Sequence, residues 1–467
     1  MVHQDESADC QTRVQEPNDP HDENPWGGKE FGLLVLLFLF IFTHRGIQGQ
    51  NDLSRFVAIG SLINRETWQI DGSAWAEKRQ TRDGRSYMLM NDVVKHPHNG
   101  HLYSSKPPVL SFMAAGILRI FQWVGAQFHF QRPYDAKPTF LLTWLVVGSL
   151  AALAFYGMRR EAGRLLPSRT ADLATVLALG GTLFLAYSTT FNNHTVAATL
   201  ILTAFFGLGM AEGNKEPPLL SVLGAGFCMG WALVIDIPAG GAFGLAFGLY
   251  IIFHLRSIGK LSLLGIGALP AFLLHCGIQY SIWESILPVQ VMDNLGHLEG
   301  SYWQNPIGPD TWNISRWKYC LLTLFSMRGL FTLSPILLFG VAGLADNMRN
   351  GDAETLKGTR GRKIAAFAVG FGVLVNIIYY SFEGPTNFGG SCFGFRWYIG
   401  FTPLLSWYAI SYFASHRDDE RVRRLFYILG LISVTYALIG MQDPWQLMEN
   451  NAHPAVRILL LLRGFAG

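Results

Sequence analysis

Apolar residues do not alternate along this chain; they run in long stretches separated by short polar connections. Stretches at 31–47, 139–157, 172–190, 195–211, 219–236, 239–255, 261–280, 329–345, 364–381, 398–414 and 425–441 each come near the roughly 17–25 residues that a bilayer requires. The pattern predicts an all-α polytopic membrane protein with about 11 transmembrane helices. One further apolar stretch, Val109 to Val124, either spans or lies flat, and the sidedness of everything after it depends on which.

Charge resolves the choice. If Val109 to Val124 does not span, the groups Arg159/Arg160/Arg164/Arg169, Lys215, Arg256/Lys260, Arg349/Lys357/Arg360/Arg362/Lys363 and Arg417/Arg421/Arg423/Arg424 all fall on one side, in short connections. Such loops are cytoplasmic under the positive-inside rule. A span there would invert the pattern and put Arg119 near mid-bilayer, at about 2.5–3.5 kcal/mol. The stretch is therefore expected as an interfacial helix on the outer face.

The organisation that follows has a disordered cytoplasmic tail over 1–30 and a single transmembrane domain over 31–467, with the C-terminus outside. Three outer segments, 44–138 with juxtamembrane helices, 281–328 and 382–396, collect the polar residues that lie away from the spans.

Composition excludes an ordinary soluble enzyme: 15% of the 467 residues are charged, against about 25% in a soluble domain. Thirty-six basic against 33 acidic residues leave a net charge of +3, which gives no reason to expect a nucleic-acid partner. Cys10, Cys228, Cys276, Cys320 and Cys392 have no C-x-x-C spacing and read as inert thiols, Cys320 and Cys392 being the one pair that could join. His96, His98 and His101 lack a fourth ligand and read as loop composition rather than a metal site.

Two motifs stand in the first outer segment. Asn51-Asp52-Leu53-Ser54-Arg55-Phe56 follows the first span, and an acid there either caps a helix or does chemistry at the membrane surface. Tyr103-Ser104-Ser105-Lys106-Pro107-Pro108 leads into the interfacial helix, with Lys106 either snorkelling or held for a substrate. Together they resemble the D-E-x-R-Y and (F/Y)-x-K-P-P pattern of integral-membrane glycosyltransferases of the GT-C type. That superfamily uses polyprenyl-phosphate sugars and includes protein O-mannosyltransferases and lipid A aminoarabinose transferases. Leu53 stands where the family often has Glu.

Later residues fit the same outer surface: Asn192-Asn193-His194 in a short turn, Asp236-Ile237-Pro238 at a span end, and Met327-Arg328-Gly329 entering a span. Gly389-Gly390-Ser391-Cys392-Phe393-Gly394-Phe395-Arg396 resembles the G-G-x-S-x-G-P-R element of many bacterial members, with Phe395 in place of Pro.

The resemblance implies a multi-pass protein of the bacterial inner membrane that takes a polyprenyl-phosphate sugar and passes the sugar to a lipid, glycan or protein hydroxyl. Asp52 would be the general base. Lys106 and Arg396, with Arg328 as a third cation, would hold the departing phosphate. Arg55, Tyr103, Asn193, His194 and Asp236 would bind substrate. Cations on a lipid phosphomonoester can replace a divalent ion, so no obligatory metal and no cofactor is expected. A transporter or flippase is the competing class. It would place ionisable groups at mid-membrane, where this chain has only His275 and Asn376 to offer.

Overall fold

The computed structural model describes residues 28–73, 78–80, 86–88, 90, 92–126, 136–213, 216–289, 312–350, 359–383, 386–390 and 392–445. Most of the expected tail, residues 290–311 of the 281–328 segment, Cys10, Lys215, Lys357 and Ser391 lie outside them. The chain is an all-α polytopic membrane protein.

It begins with α1 (Gly28–Phe42), α2 (Gln50–Arg65) and two antiparallel ribbons, β1 (Lys78–Gln80) with β2 (Ser86–Met88) and β3 (Val93–Lys95) with β4 (Leu102–Ser104). Next come α3 (Pro108–Trp123), α4 (Ala136–Leu142) running through a π-helical turn into α5 (Ser149–Ala162), α6 (Ser168–Ala178), α7 (Leu183–Tyr187) and α8 (Asn193–Gly207). Then follow α9 (Leu219–Ile235), α10 (Ile237–Tyr250), α11 (Ile258–Trp283), α12 (Arg316–Phe325), α13 (Leu330–Leu333) and α14 (Leu337–Asn350). The order closes with α15 (Thr359–Ile378), α16 (Thr402–Ser415) and α17 (Glu420–Gln442).

Every one of the apolar stretches falls on helix, but not all as straight spans. Among the described residues, five helices, Lys137–Ala162, Ile237–Leu255, Ile258–Trp283, Arg360–Glu383 and Glu420–Gln442, are long and apolar enough to cross a membrane. A sixth crossing is available if the bent pair Arg316–Leu333 and Leu337–Arg349 counts as one; its halves meet at 98°. The 329–345 stretch is thus broken rather than straight, because Ser334 and Pro335 interrupt it between α13 and α14. The 172–190 stretch is broken at Gly180–Gly181, where Thr182 caps α7 by accepting the Phe184 N–H. The small β ribbons were not expected: runs of three residues leave no mark in a span-length hydropathy pattern.

Close helix crossings rest on glycine. A Cβ at Gly226 of α9 would sit 2.1 Å from the Leu264 carbonyl oxygen of α11, and one at Gly267 would sit 2.2 Å from the Leu223 carbonyl oxygen. Two backbones in van der Waals contact gain dispersion where lipid offers no hydrophobic drive. Gly343 of α14 does the same against Tyr408 of α16, at 2.1 Å from its carbonyl oxygen.

The bundle has two chemically distinct ends. At one, Arg164 pairs with Glu161 at 2.6 Å and with Glu212, Lys260 pairs with Glu216 at 3.2 Å, and the Arg362 Nε–H donates to the Glu212 carbonyl at 3.1 Å. These groups follow the C-terminal ends of α5 and α8 and open α11 and α15. The opposite end of α8, which is 15 residues and so roughly 22 Å long, carries Asn193 and His194. Arg164, Lys260 and Arg362, three of the basic residues singled out in the sequence, therefore lie toward the end of α8 away from Asn193 and His194.

Candidate functional site

Asp52 sits in the first turn of α2, and both readings of it meet in the structure. Its Oδ2 accepts the Gln48 N–H at 2.8 Å, and its Oδ1 accepts those of Gly49 at 2.7 Å and Leu53 at 3.0 Å. These are capping bonds, and they also fix the carboxyl in one orientation. Burial raises its pKa to about 7 in spite of the three N–H donors, which favour the ionised form.

One turn on, Arg55 is fully buried. Its guanidinium donates to the Asn51 side-chain oxygen at 2.5 Å, to the Asn51 carbonyl at 3.1 Å and to the Asn193 side-chain oxygen at 3.0 Å, which ties α2 to the start of α8. Asn192 caps α8 by accepting the Thr195 N–H at 2.8 Å, so Asn193 and His194 occupy its first turn. From there His194 Nδ1 reaches Asp236 Oδ2 at 2.6 Å, both side chains being buried. Asp236 is held at the α9–α10 turn, which closes tightly because Gly240 has no Cβ; one there would lie 2.3 Å from the Leu233 Cα. Tyr380 completes this corner with a 3.4 Å hydrogen bond from its hydroxyl to Asp236 Oδ1.

Lys106 stands just before α3, whose first turn holds Pro108. Its Nζ pairs with Asp92 Oδ1 at 2.8 Å. Burial lowers the Lys106 pKa; the Asp92 carboxylate opposes this, and the Arg55 and Arg396 charges add to it. Arg55 in turn is pushed down to about 10 by burial, in the combined field of Asp92, Arg396, Asp236 and Asp52. Asp52, Arg55, Asp92, Lys106, His194, Asp236 and Arg396 therefore form one electrostatic neighbourhood, although they come from 344 positions of chain, from 52 to 396.

Among the described residues, Arg396 is the cation of that neighbourhood with the fewest polar partners. It is 9% exposed, its Nε is buried without a partner, and among the described residues no acceptor is bonded to its guanidinium. Its guanidinium carbon lies 4.6 Å from the centre of the Trp445 ring. The turn before it is left-handed at Phe388, Gly389 and Gly390, with φ of 56°, 79° and 84°, and Gly389 admits the Arg396 stem at van der Waals distance.

Two sequence-selected residues stand apart. Arg328 donates to the Gly390 and Cys392 carbonyls at 2.6 and 2.9 Å, so it braces the glycine turn. Tyr103 packs on Trp283 and His96, with ring centroids at 5.3 and 5.7 Å, and its hydroxyl accepts from Asn99 Nδ2 at 3.0 Å. Asp92, Tyr380 and Trp445 were not read from the sequence, since no motif spacing links them to Lys106, Asp236 or Arg396. Cys228, Cys276, Cys320 and Cys392 are free thiols, and among the described residues no group of His, Cys, Asp and Glu is arranged for a metal. Of the mid-span polar groups, Asn376 bonds the Gly372 carbonyl of its own helix at 3.0 Å, and His275 is buried on α11.

No family model and no curated protein matches the chain. Solved structures do. ArnT from Cupriavidus metallidurans bound to undecaprenyl phosphate superposes with a TM-score of 0.50 at 14% identity, over 85% of this chain and 61% of that one. The oligosaccharyltransferase of Archaeoglobus fulgidus in complex with Zn and sulfate superposes with a TM-score of 0.50 at 13% identity, over 89% of this chain and 53% of that one. The chain thus spans between half and two-thirds of the length of these two neighbours. What it shares with them is the fold.

Proposed function

We propose that the chain is a glycosyltransferase that moves a sugar from a polyprenyl-phosphate donor to an acceptor hydroxyl, with inversion, at the outer membrane face. The observation that carries this reading is the buried Arg396 guanidinium, which bonds no acceptor among the described residues and stands in one neighbourhood with Lys106 and a fixed carboxyl. A buried cation without a hydrogen-bonded anion is costly, and a ligand phosphate removes that cost.

The acceptor oxygen attacks the anomeric carbon as Asp52 takes its proton. The bond from that carbon to the phosphate oxygen breaks, and its electron pair leaves on the lipid phosphate. Lys106 and Arg396 face the charge that develops there. Asp92 holds Lys106 in place, and Arg55 fixes the α2–α8 junction on which Asp52 and His194 stand. Asn193, His194 and Asp236 are assigned to the hydroxyls of the sugar, and Arg328 to the shape of the loop that carries Arg396. The two solved neighbours add support through their shared fold, and one of them was captured with undecaprenyl phosphate bound.

The test is transfer in membranes from a labelled polyprenyl-phosphate sugar. Asp52→Asn is expected to lower kcat by about a hundredfold or more, and Arg396→Gln to raise the donor KM. Unchanged transfer in Asp52→Asn removes the base assignment. Protein-dependent labelling from a nucleotide sugar without lipid carrier overturns the donor.

A further inference from the structure

We infer that Trp445 is a positioning residue for the donor phosphate: its indole face sets the plane of the Arg396 guanidinium, and the root of its side chain packs on the turn that holds Asp52. The inference rests on the reading of Arg396 as a phosphate ligand.

The guanidinium carbon lies 4.6 Å from the centre of the Trp445 ring. Stacking on an aromatic face restrains a guanidinium without using its N–H donors, so the donors stay available to a planar or tetrahedral anion. Hydrogen bonds to protein would consume them. Of the cluster's buried arginines, Arg55 spends its two terminal nitrogens on Asn51 and Asn193, whereas among the described residues Arg396 is held by a ring and by no bonded acceptor.

The indole is itself held from several sides. Its Nε1–H donates to Thr190 Oγ1 at 2.7 Å, and Tyr187 meets it edge-on with centroids 5.5 Å apart. The Tyr187 hydroxyl donates to the Pro444 carbonyl at 2.9 Å, which also accepts the Phe393 N–H at 2.9 Å. Just before it, His44 Nε2–H donates to the Met441 carbonyl at 2.8 Å. The residues after α17 are thus fastened to the first outer segment, to the α7–α8 connection and to the loop that bears Arg396.

The Asp52 turn is the second contact. A Cβ at Gly49 would lie 2.9 Å from the Trp445 side chain, so this glycine lets the indole rest on the turn. Gly49 is also the residue whose N–H holds Asp52 Oδ1 at 2.7 Å. One side chain therefore touches both the cation that faces the leaving group and the backbone that orients the base.

The experiment measures affinity for a polyprenyl monophosphate without sugar, using the full chain in nanodiscs, together with its melting temperature. Arg396→Gln is expected to weaken binding about tenfold or more, the loss of a charge-assisted contact. Trp445→Phe, which keeps a ring face, is expected to stay within about threefold, and Trp445→Leu to lose about as much as Arg396→Gln. The double variant W445L/R396Q is expected to be no worse than R396Q alone. A role in packing alone predicts that Phe and Leu behave alike and that the two losses multiply; either result overturns the inference. Wild-type affinity in R396Q removes the phosphate reading itself, whereas weak binding in R396Q with wild-type affinity in W445L removes only the role of Trp445. If W445L does not fold, Thr190→Val frees the indole N–H and leaves both partners in place. A loss of about threefold then supports the inference, and wild-type affinity overturns it.

Discussion

At Asp52 two opposing effects act on one carboxyl, and their balance sets a pH dependence. Burial favours the neutral acid, three backbone N–H groups favour the anion, and the outcome is a pKa of about 7 against 3.8 for a free side chain. A base must be ionised to work, so transfer is expected to rise with pH through about 7 and to level off above it, which a pH profile of kcat/KM checks. The same shift acts in the other direction on folding. The folded state holds the proton that the unfolded chain releases near 3.8, so this contribution to stability is complete below 3.8 and is lost as pH climbs toward 7. Lys106 offers a second test. Asp92→Asn removes the carboxylate that opposes its burial, so the Lys106 pKa falls further and donor affinity is expected to drop more steeply at alkaline pH than in wild type. Motif spacing led to Asp52, Lys106 and Arg396 because each stands beside a helix entry or a glycine turn with a local signature. It did not lead to Asp92, which meets Lys106 only once the β3–β4 ribbon has folded, or to Trp445, whose partners lie far along the chain; neither pairing leaves a periodic trace. For Arg328 and Tyr103 the residue type was legible but the protein partners, two carbonyls and an aromatic stack, were not.

Among elements, the α9–α11 crossing depends on the absence of a methyl group. Ala at Gly226 would drive a Cβ into the Leu264 backbone, which cannot rotate away, and overpacking of that kind costs about 1–3 kcal/mol. Gly224, two residues earlier on the same helix, has open space where its Cβ would be. Gly226→Ala is therefore expected to lower thermal stability and Gly224→Ala to leave it unchanged, as measured by melting of the detergent-solubilised protein. Apolar periodicity located the helices well but was blind to their interruptions. A hydropathy average passes straight over Gly180–Gly181 and over Ser334–Pro335, although proline and paired glycines were visible in the letters. Those interruptions have consequences for the site: a Cβ at Gly394, in the turn before Arg396, would press on Leu183 of α7 and on Leu333, the last residue of α13.

For the molecule as a whole, charge separates along the axis of α8 and α10, with the Arg164–Glu212 network at one end and the His194–Asp236 pair at the other. If this axis crosses the bilayer with basic loops inside, single cysteines at Gly100 and Gly163 are expected to react with an impermeant thiol reagent from opposite faces. Reaction of both from one face would restore Val109 to Val124 as a span. The net charge of +3 carried none of this; the placement of charges by loop did. The joint between the Asp52 turn and Trp445 also has a consequence for how the protein is made. The two leave the ribosome nearly the whole chain apart, and at about 5–20 residues per second the first waits on the order of tens of seconds for the second. Through that interval α2 and Arg396 are already synthesised while the ring that joins them is not. A polypeptide released before Asp443 would carry every helix described above and both motifs, yet lack the clasp between them. Termination before Asp443 is thus expected to leave an inserted protein in which α2 and Arg396 are not joined through the ring.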